Sequence, residues 1–460
     1  MANLVEFDPG GIPRKPFDPS RLLRELEAKF KLAQDPHERA ILADWIVPEY
    51  ITYVDAQTAR EYLDRVAESD DPEVTVRMET LRGIVAAMEG DDPQSHLEKA
   101  LKLLGTVAPA TVAVVQHRAG LAHFFARHPH AAEKHALQAL WRADAEGLRR
   151  LAARAASVLY AVHYHLTGDL QAARYYAEVA SVEAAAAGDA MVRRQFLIAQ
   201  FDLAVVFAEW DRARSLLEML RRDRWYDTYS GSIVAQIGVI VLHGHAGAFT
   251  AMLGAADALL ESSDEGADYA LAHALRALAL AASGADQEAG KAARQALSLS
   301  SEHRATEYAN HATRRRLAAT LAAYICVLIG DTHRGSRALE SRCKWPGEIG
   351  AFARALMASL HGGAIDVENP DLQGVRGFLE LGNSVRRIRF DRVQRIPERV
   401  RTLTHTELTV LRATATGKTN AEIARERGVT RNAVERRLMS AYEKLGVKNR
   451  TEAIAKLAEI

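Results

Sequence analysis

The feature that most limits how this chain can fold is a helical grammar repeated from about Ser20 to His361. An Ala-rich apolar pattern runs for 15–20 residues, a break carrying Gly or Asp follows, and a more charged helical pattern comes next. The clearest copy is LYAVHYHLTGDLQAARYYAEVASVEAAAAGD, residues 159–189. In it Leu166, Gly168, Asp169, Ala173, Tyr176 and Ala180 stand where a hairpin of two helices needs them. Small side chains at Ala173 and Ala180 let two helices approach closely, and Gly168 allows the positive φ that ends the first helix. Weaker copies occupy residues 87–105, 124–140, 206–220, 279–299 and 326–341. The breaks near 168, 210, 246, 284 and 330 fall roughly forty residues apart. One helix pair cannot hide its apolar face alone. Stacked pairs can, and the stack curves into a superhelix whose concave surface is lined by the first helix of each pair.

Composition agrees with an all-α chain. Ala is abundant, while β-branched runs and the 13 prolines are sparse over 460 residues. The opening stretch MANLVEFDPGGIPRKPF has no apolar segment of the secretory kind. The longest apolar run, Leu317 to Ile329, spans thirteen residues. A membrane span needs about 20. Cys326 and Cys343 are the only cysteines, too few for a disulfide framework or a four-cysteine metal site. A cytoplasmic protein with no membrane partner is expected.

The net charge of zero hides a split. Residues 385–460 hold 18 Lys or Arg and 9 Asp or Glu, a surplus of +9, so the first 384 residues carry −9. A basic end on an acidic body suits a chain in which only the end meets a polyanion. Between them, residues 363–402 open with the loop-like GAIDVENPDLQG and continue through the basic SVRRIRFDRVQRIPERVR, with Pro397. The expected organisation is therefore an N-terminal arm (1–19), a repeat domain (20–362), a basic linker with room for a short helix (363–402) and a C-terminal domain (403–460).

The C-terminal domain parses as four short helices, near 405–416, 420–427, 431–445 and 450–458. Thr404 precedes Glu407, Thr419 precedes Glu422 and Asn449 precedes Glu452 by three residues, the capping-box spacing or its Asn analogue. Thr430 starts the third helix without the Glu, and Gly417, Gly428 and Gly446 follow helix ends. Val434, Leu438, Ala441 and Leu445 share one face of the third helix and form a small core with Leu408, Leu411, Ile423, Ala424 and Val429. Two helices joined at Gly428-Val429 have the spacing of a helix-turn-helix. The opposite face of 431–445 carries Asn432, Arg436, Met439 and Glu443, flanked by Arg431 and Glu435, which suits a major groove. Lys418, Lys444, Lys448 and Arg450 lie near helix ends and are positioned to neutralise phosphates. Backbone N–H groups at the helix starts around Thr419, Asn420 and Thr430 do the same.

Two resemblances follow from these residues. The repeat region resembles the tetratricopeptide class, in the long-repeat, maltose-activator-like variety of bacterial regulators. The C-terminal segment resembles the LuxR/GerE-type helix-turn-helix of bacterial transcription factors. The matches are Leu403-Thr404, Glu407, Leu411, Gly417, Asn420, Glu422-Ile423-Ala424, Val434, Lys444-Leu445-Gly446-Val447 and Arg450. The chain departs from that pattern at Thr406, where the family has Arg, and in Ala433-Val434-Glu435 with Arg437, where it has Thr-Val-Lys with a following His. The resemblance implies double-stranded DNA as partner, with Thr419, Asn420, Thr430, Arg431, Asn432, Glu435, Arg436, Met439, Lys444, Lys448 and Arg450 as DNA-binding residues. It also implies a homodimer through the fourth helix, with Ala453, Ile454 and Leu457 as candidate contacts; the alternative is that they close the domain core. Glu435 stands in place of a cation; either Arg436 and Arg437 restore the charge or Glu435 accepts from a cytosine amino group, and either way an altered target sequence is expected. The alternative is a protein-interaction scaffold whose helix-turn-helix no longer reads DNA.

Other signals are bland. GADQEAGKAA, residues 284–293, has five residues between its glycines and Ala292 after Lys291, so it is no phosphate loop. The His pairs 128/130, 163/165 and 243/245 are spaced i, i+2 and point apart on a helix, so no metal site is expected. Tyr160, His163, Tyr164, Gln195 and Gln200 fall on expected inner helices and are the candidates for contacting a peptide, protein or small-molecule effector. No catalytic constellation and no cofactor motif stands out, so an enzyme is not expected.

Overall fold

In the computed structural model the described residues are 21–52, 55–222, 233–262, 267–301, 309–345, 347–361, 369–395 and 403–458. The arm at 1–19 and the end of the linker, 396–402, lie outside them. Among the described residues every regular element is a helix. The chain divides into two compact units, Met1–Asn383 and Ser384–Ile460. No described helix is long and apolar enough to cross a membrane.

The first unit is a superhelix of stacked helix pairs. Pro109–Phe125 pairs with Pro129–Ala145, Arg149–Ala161 with Leu170–Ala186, and Ala190–Val206 with Trp210–Arg222. The pattern continues with Ile233–His245 against Phe249–Ser262, Ala267–Ser283 against Asp286–Ser301, and Ala309–Leu328 against Thr332–Cys343. First helices also pack on their neighbours, as Pro72–Glu89 does on Pro109–Phe125 and Ala267–Ser283 on Ala309–Leu328. The close packing rests on alanine seams. Ala132, Ala136, Ala139 and Ala143 are fully buried along one helix, and Ala173, Ala177, Ala180 and Ala184 along the next outer one. Each member of the second set lies 41 positions after its counterpart, as Ala173 does after Ala132. The i, i+4, i+7, i+11 spacing keeps the methyl groups on a single stripe. At Gly120, facing the first seam, a methyl group would stand 3.0 Å from the Ala136 nitrogen and 3.2 Å from the Ala132 oxygen.

The breaks between helices reuse one backbone solution. Gly168 adopts φ 73°, and the Asp169 side chain accepts from the Ala172 amide at 3.0 Å to start the next helix. Arg127 (φ 61°) and Ala208 (φ 58°) hold the same left-handed conformation without being glycine. There the amide after the left-handed residue reaches back to close the helix end, His128 to the His123 carbonyl at 2.9 Å and Glu209 to Ala204 at 2.8 Å. The clearest repeat differs from a plain α-helix in one respect: Val162–Thr167 is a π turn, in which His163, Tyr164 and His165 are all buried.

The stretch expected as a basic linker contains a 3-10 turn, Pro370–Val375, and a twenty-residue helix, Arg376–Arg395. Its basic residues mask an apolar side. Phe378, Leu379 and Leu381 are buried, and Trp210 Nε1 donates to the Glu380 carboxylate at 2.8 Å.

The second unit holds the helices His405–Ala415, Asn420–Arg427, Arg431–Leu445 and Arg450–Ala458. Thr404 and Thr419 make full capping boxes with Glu407 and Glu422. The Thr430 hydroxyl accepts from the Ala433 amide at 3.2 Å, and the Asn449 amide oxygen from Glu452 N–H at 2.9 Å. Gly428 takes φ 62° in the turn between the second and third helices. The core is Val410, Leu411, Ile423, Ala424, Val434, Leu438, Leu445 and Ala453. Leu408, expected in that core, is only half-buried, because Val410 and Leu411 are the residues of their helix that face Val434 and Leu438.

Candidate nucleic-acid interface

Helix Arg431–Leu445 has two unlike faces. Val434, Leu438, Ala441 and Leu445 turn inward and are buried. Asn432, Arg436, Met439 and Glu443 turn outward and are exposed. With Glu435, Ser440 and Lys448 they line an open depression of about 1090 Å³. Arg436 makes no hydrogen bond or ion pair among the described residues, so its five donors are available to a partner.

Glu435 is already engaged. Arg431 Nε donates to its carboxylate at 2.8 Å, one turn away. That hydrogen bond, helped by the Asn420 amide, holds the Glu435 carboxyl below the usual carboxylate range. The pair is largely solvent-exposed, so its effect on stability is small. Its effect on the face is larger: Arg431 offsets the charge that Glu435 brings.

The other expected contacts divide. Thr419 and Thr430 spend their side chains on capping, which leaves their helix N-termini as amide donors. The Lys448 side chain is exposed and makes no ion pair among the described residues. Lys444 is turned inward, donating twice to Glu407 at 2.9 and 2.7 Å. Arg450 is half-buried and donates to the backbone oxygens of Thr414 at 3.0 Å and Lys418 at 2.7 Å, closing the end of the first helix. Lys418 pairs with Glu426 at 2.7 Å. Ala453 is fully buried in the domain core and Ile454 is half-buried. The Leu457 side chain lies outside the described residues.

Sequence reasoning missed Glu407 as the hub of the unit. It accepts from the Thr404 amide at 2.6 Å, from Ser440 Oγ at 2.6 Å and from Lys444. Burial pushes its carboxyl up, but Lys444, Ser440 and Thr404 outweigh this and hold it down to about 2. The capping box around Glu407 was legible. The partners 33 and 37 residues away carried no local signal.

Of the effector candidates of the first unit, Tyr160, His163, Tyr164 and Gln195 are buried and Gln200 is half-buried. Tyr160 and Tyr164 stack with ring centroids 5.2 Å apart, and Tyr160 meets Phe196 edge-on at 5.3 Å. The Tyr164 hydroxyl donates to Asp202 at 2.5 Å and accepts from Arg314 at 2.5 Å. Arg314 also reaches Asp202 at 3.2 Å and Asp268 at 2.5 Å, so one buried cation serves two carboxylates. Burial pushes the Asp202 carboxyl up more than the shared Arg314 holds it down. His163 stacks on Tyr176 and lies 3.5 Å from Glu133. Gln195 is buried, and Gln200 Nε2 reaches the Ala177 oxygen at 3.5 Å. Among the described residues no group of three or more His, Cys, Asp or Glu side chains is arranged to hold a metal ion.

Residues 401–457 match the family described as GerE, bacterial regulatory proteins of the luxR family. The second unit carries a LuxR-type helix-turn-helix. Its sequence is 47% identical over 53 residues to the probable transcriptional regulatory protein SgaR of Hyphomicrobium methylovorum. That alignment covers 12% of this chain and 25% of SgaR, so the chain spans about a quarter of the length of the curated relative it matches. A solved structure of NprR in complex with its cognate peptide NprX aligns over 82% of this chain and 100% of its own, at 12% identity and a TM-score of 0.43.

In the LuxR-type unit, the match covers the capped helices and the outward face of Arg431–Leu445 together. Of the departures from the family pattern, Glu435 lines the depression on that face, Ala433 and Arg437 are half-buried beside it, and Thr406 lies apart in the first helix.

Proposed function

We propose that the chain is a bacterial transcription regulator. Its LuxR-type unit reads double-stranded DNA, and its helical-repeat unit senses a peptide, protein or small-molecule effector or pairs two chains, and so governs operator binding. The observation that carries this reading is the outward face of Arg431–Leu445. A capped helix directly after a two-helix turn presents Asn432, Arg436 and Met439 away from the core. A major groove admits such a helix, and base edges are read by side chains of these types.

The charge split supports the same reading, since the +9 surplus lies in residues 385–460. Within the unit, Arg436 and Asn432 supply base contacts. Lys448 and the N-terminal amides at Asn420 and Arg431 supply phosphate contacts. Lys444 and Arg450 act one step back: they brace the helices through Glu407 and the Thr414 and Lys418 carbonyls. The competing scaffold reading drew its strength from Glu435. Arg431 offsets that charge within the helix, which favours the DNA reading.

The test is selection of bound duplexes from a random library by the full chain at moderate salt. The reading expects enrichment of a defined half-site, repeated when two chains bind as a dimer. Recovery of no preferred sequence, with no binding even in dilute buffer, would turn the assignment towards the scaffold.

A further inference from the structure

Met439 is the one large apolar side chain left exposed among the described residues of 403–454, at 66% of its full accessibility. It stands in the middle of the outward face, between Glu435 on one flank and Asn432, Arg436 and Glu443 on the other. A lone methionine ringed by polar and charged groups is too small an apolar area to dock a protein. Stable protein interfaces bury about 800 Å² on each partner. A duplex edge is different. The major groove presents donors, acceptors and one apolar group, the thymine 5-methyl. A polarizable, unbranched side chain with three rotatable bonds fits such a small target.

We propose that Met439 reads the 5-methyl group of a thymine in the operator, an inference that rests on the DNA-reading function above. Helix geometry places that thymine. Met439 lies three residues beyond Arg436, about 4.5 Å along the axis. Base pairs stack about 3.4 Å apart. The thymine is therefore one or two base pairs from the pair contacted by Arg436. Met439 thus adds a base preference at a position where its neighbours supply only polar contacts.

The experiment uses the full chain and the half-site enriched by selection. Each thymine is replaced in turn by deoxyuridine, which removes the methyl group and leaves the base pairing intact. Binding is followed by fluorescence anisotropy. At one thymine in each half-site, the replacement is expected to weaken binding about fourfold, the worth of one buried methyl group. Met439→Ala is expected to bind the thymine and deoxyuridine duplexes equally. Its side chain is exposed, so the fold is retained. The inference is overturned if no thymine shows the loss, or if the loss persists undiminished in Met439→Ala. A gain seen only on cytosine methylation would move the contact to 5-methylcytosine and overturn it equally. Failure of the function itself reads differently: no half-site is enriched at all, and the inference goes with it.

Discussion

Glu407 shows how much one side chain can organise. Its carboxylate gathers a backbone amide, a hydroxyl and an ammonium from two helices, and so locks helix Arg431–Leu445 to the first helix of the unit. Because its folded pKa is depressed to about 2 from an ordinary 4.5, its contribution is present above pH 4.5 and lost as pH falls towards 2. Acid titration of unfolding should show this loss, and Glu407→Gln should flatten it. At neutral pH the same substitution should destabilise the unit by roughly 2–3 kcal/mol, read by denaturant melts. In the proposed function Arg436 acts on the DNA instead. Arg436→Ala should cost about 1–3 kcal/mol of operator affinity and relax the preference at one base pair. A uniform loss across unrelated sequences would reassign Arg436 to a phosphate.

Helix ends and packing seams carry the next level of argument. The Thr430 cap starts helix Arg431–Leu445, so Thr430→Ala should lower the stability of the unit by about 1 kcal/mol in thermal or denaturant unfolding. In the repeat unit, Ala208 occupies a left-handed turn position without being glycine. Ala208→Gly should therefore stabilise the protein by about 0.5 kcal/mol, since relief of the left-handed penalty exceeds the entropy that glycine adds. A loss of stability there would show that the methyl group packs usefully. These local features were the most legible in the sequence. Each capping threonine and the positive-φ glycines Gly168, Gly417, Gly428 and Gly446 could be read directly, because a cap depends on residues three positions apart. The π turn at Val162–Thr167 could not be read, since one extra residue per turn leaves the apolar pattern nearly unchanged.

The whole molecule joins an acidic stack of helix pairs to a basic LuxR-type unit. The stack was legible from its forty-residue spacing, and the alanine seams at 132–143 and 173–184 recur at that spacing. The buried cluster of Tyr164, Asp202, Asp268 and Arg314 was not legible. Arg314 lies 112 residues from Asp202 and 150 from Tyr164, and a contact closed across several repeats leaves no period to detect. For the same reason the sequence placed Tyr160 and Tyr164 on inner helices without deciding between ligand contact and packing between repeats, and the structure buries both. Lys444 and Arg450 were legible as cations near helix ends, but not as braces. Which way a long side chain turns depends on acceptors more than thirty residues away.

The most direct test of the whole account is the salt dependence of binding between the full chain and its selected duplex. Affinity should fall linearly on a log–log plot against salt, with a slope near −0.9 for each phosphate neutralised. The slope should stay unchanged in Arg436→Ala, while affinity drops. A duplex affinity that is absent in dilute buffer, or indifferent to both salt and Arg436, would contradict the claim that the outward face of Arg431–Leu445 reads DNA.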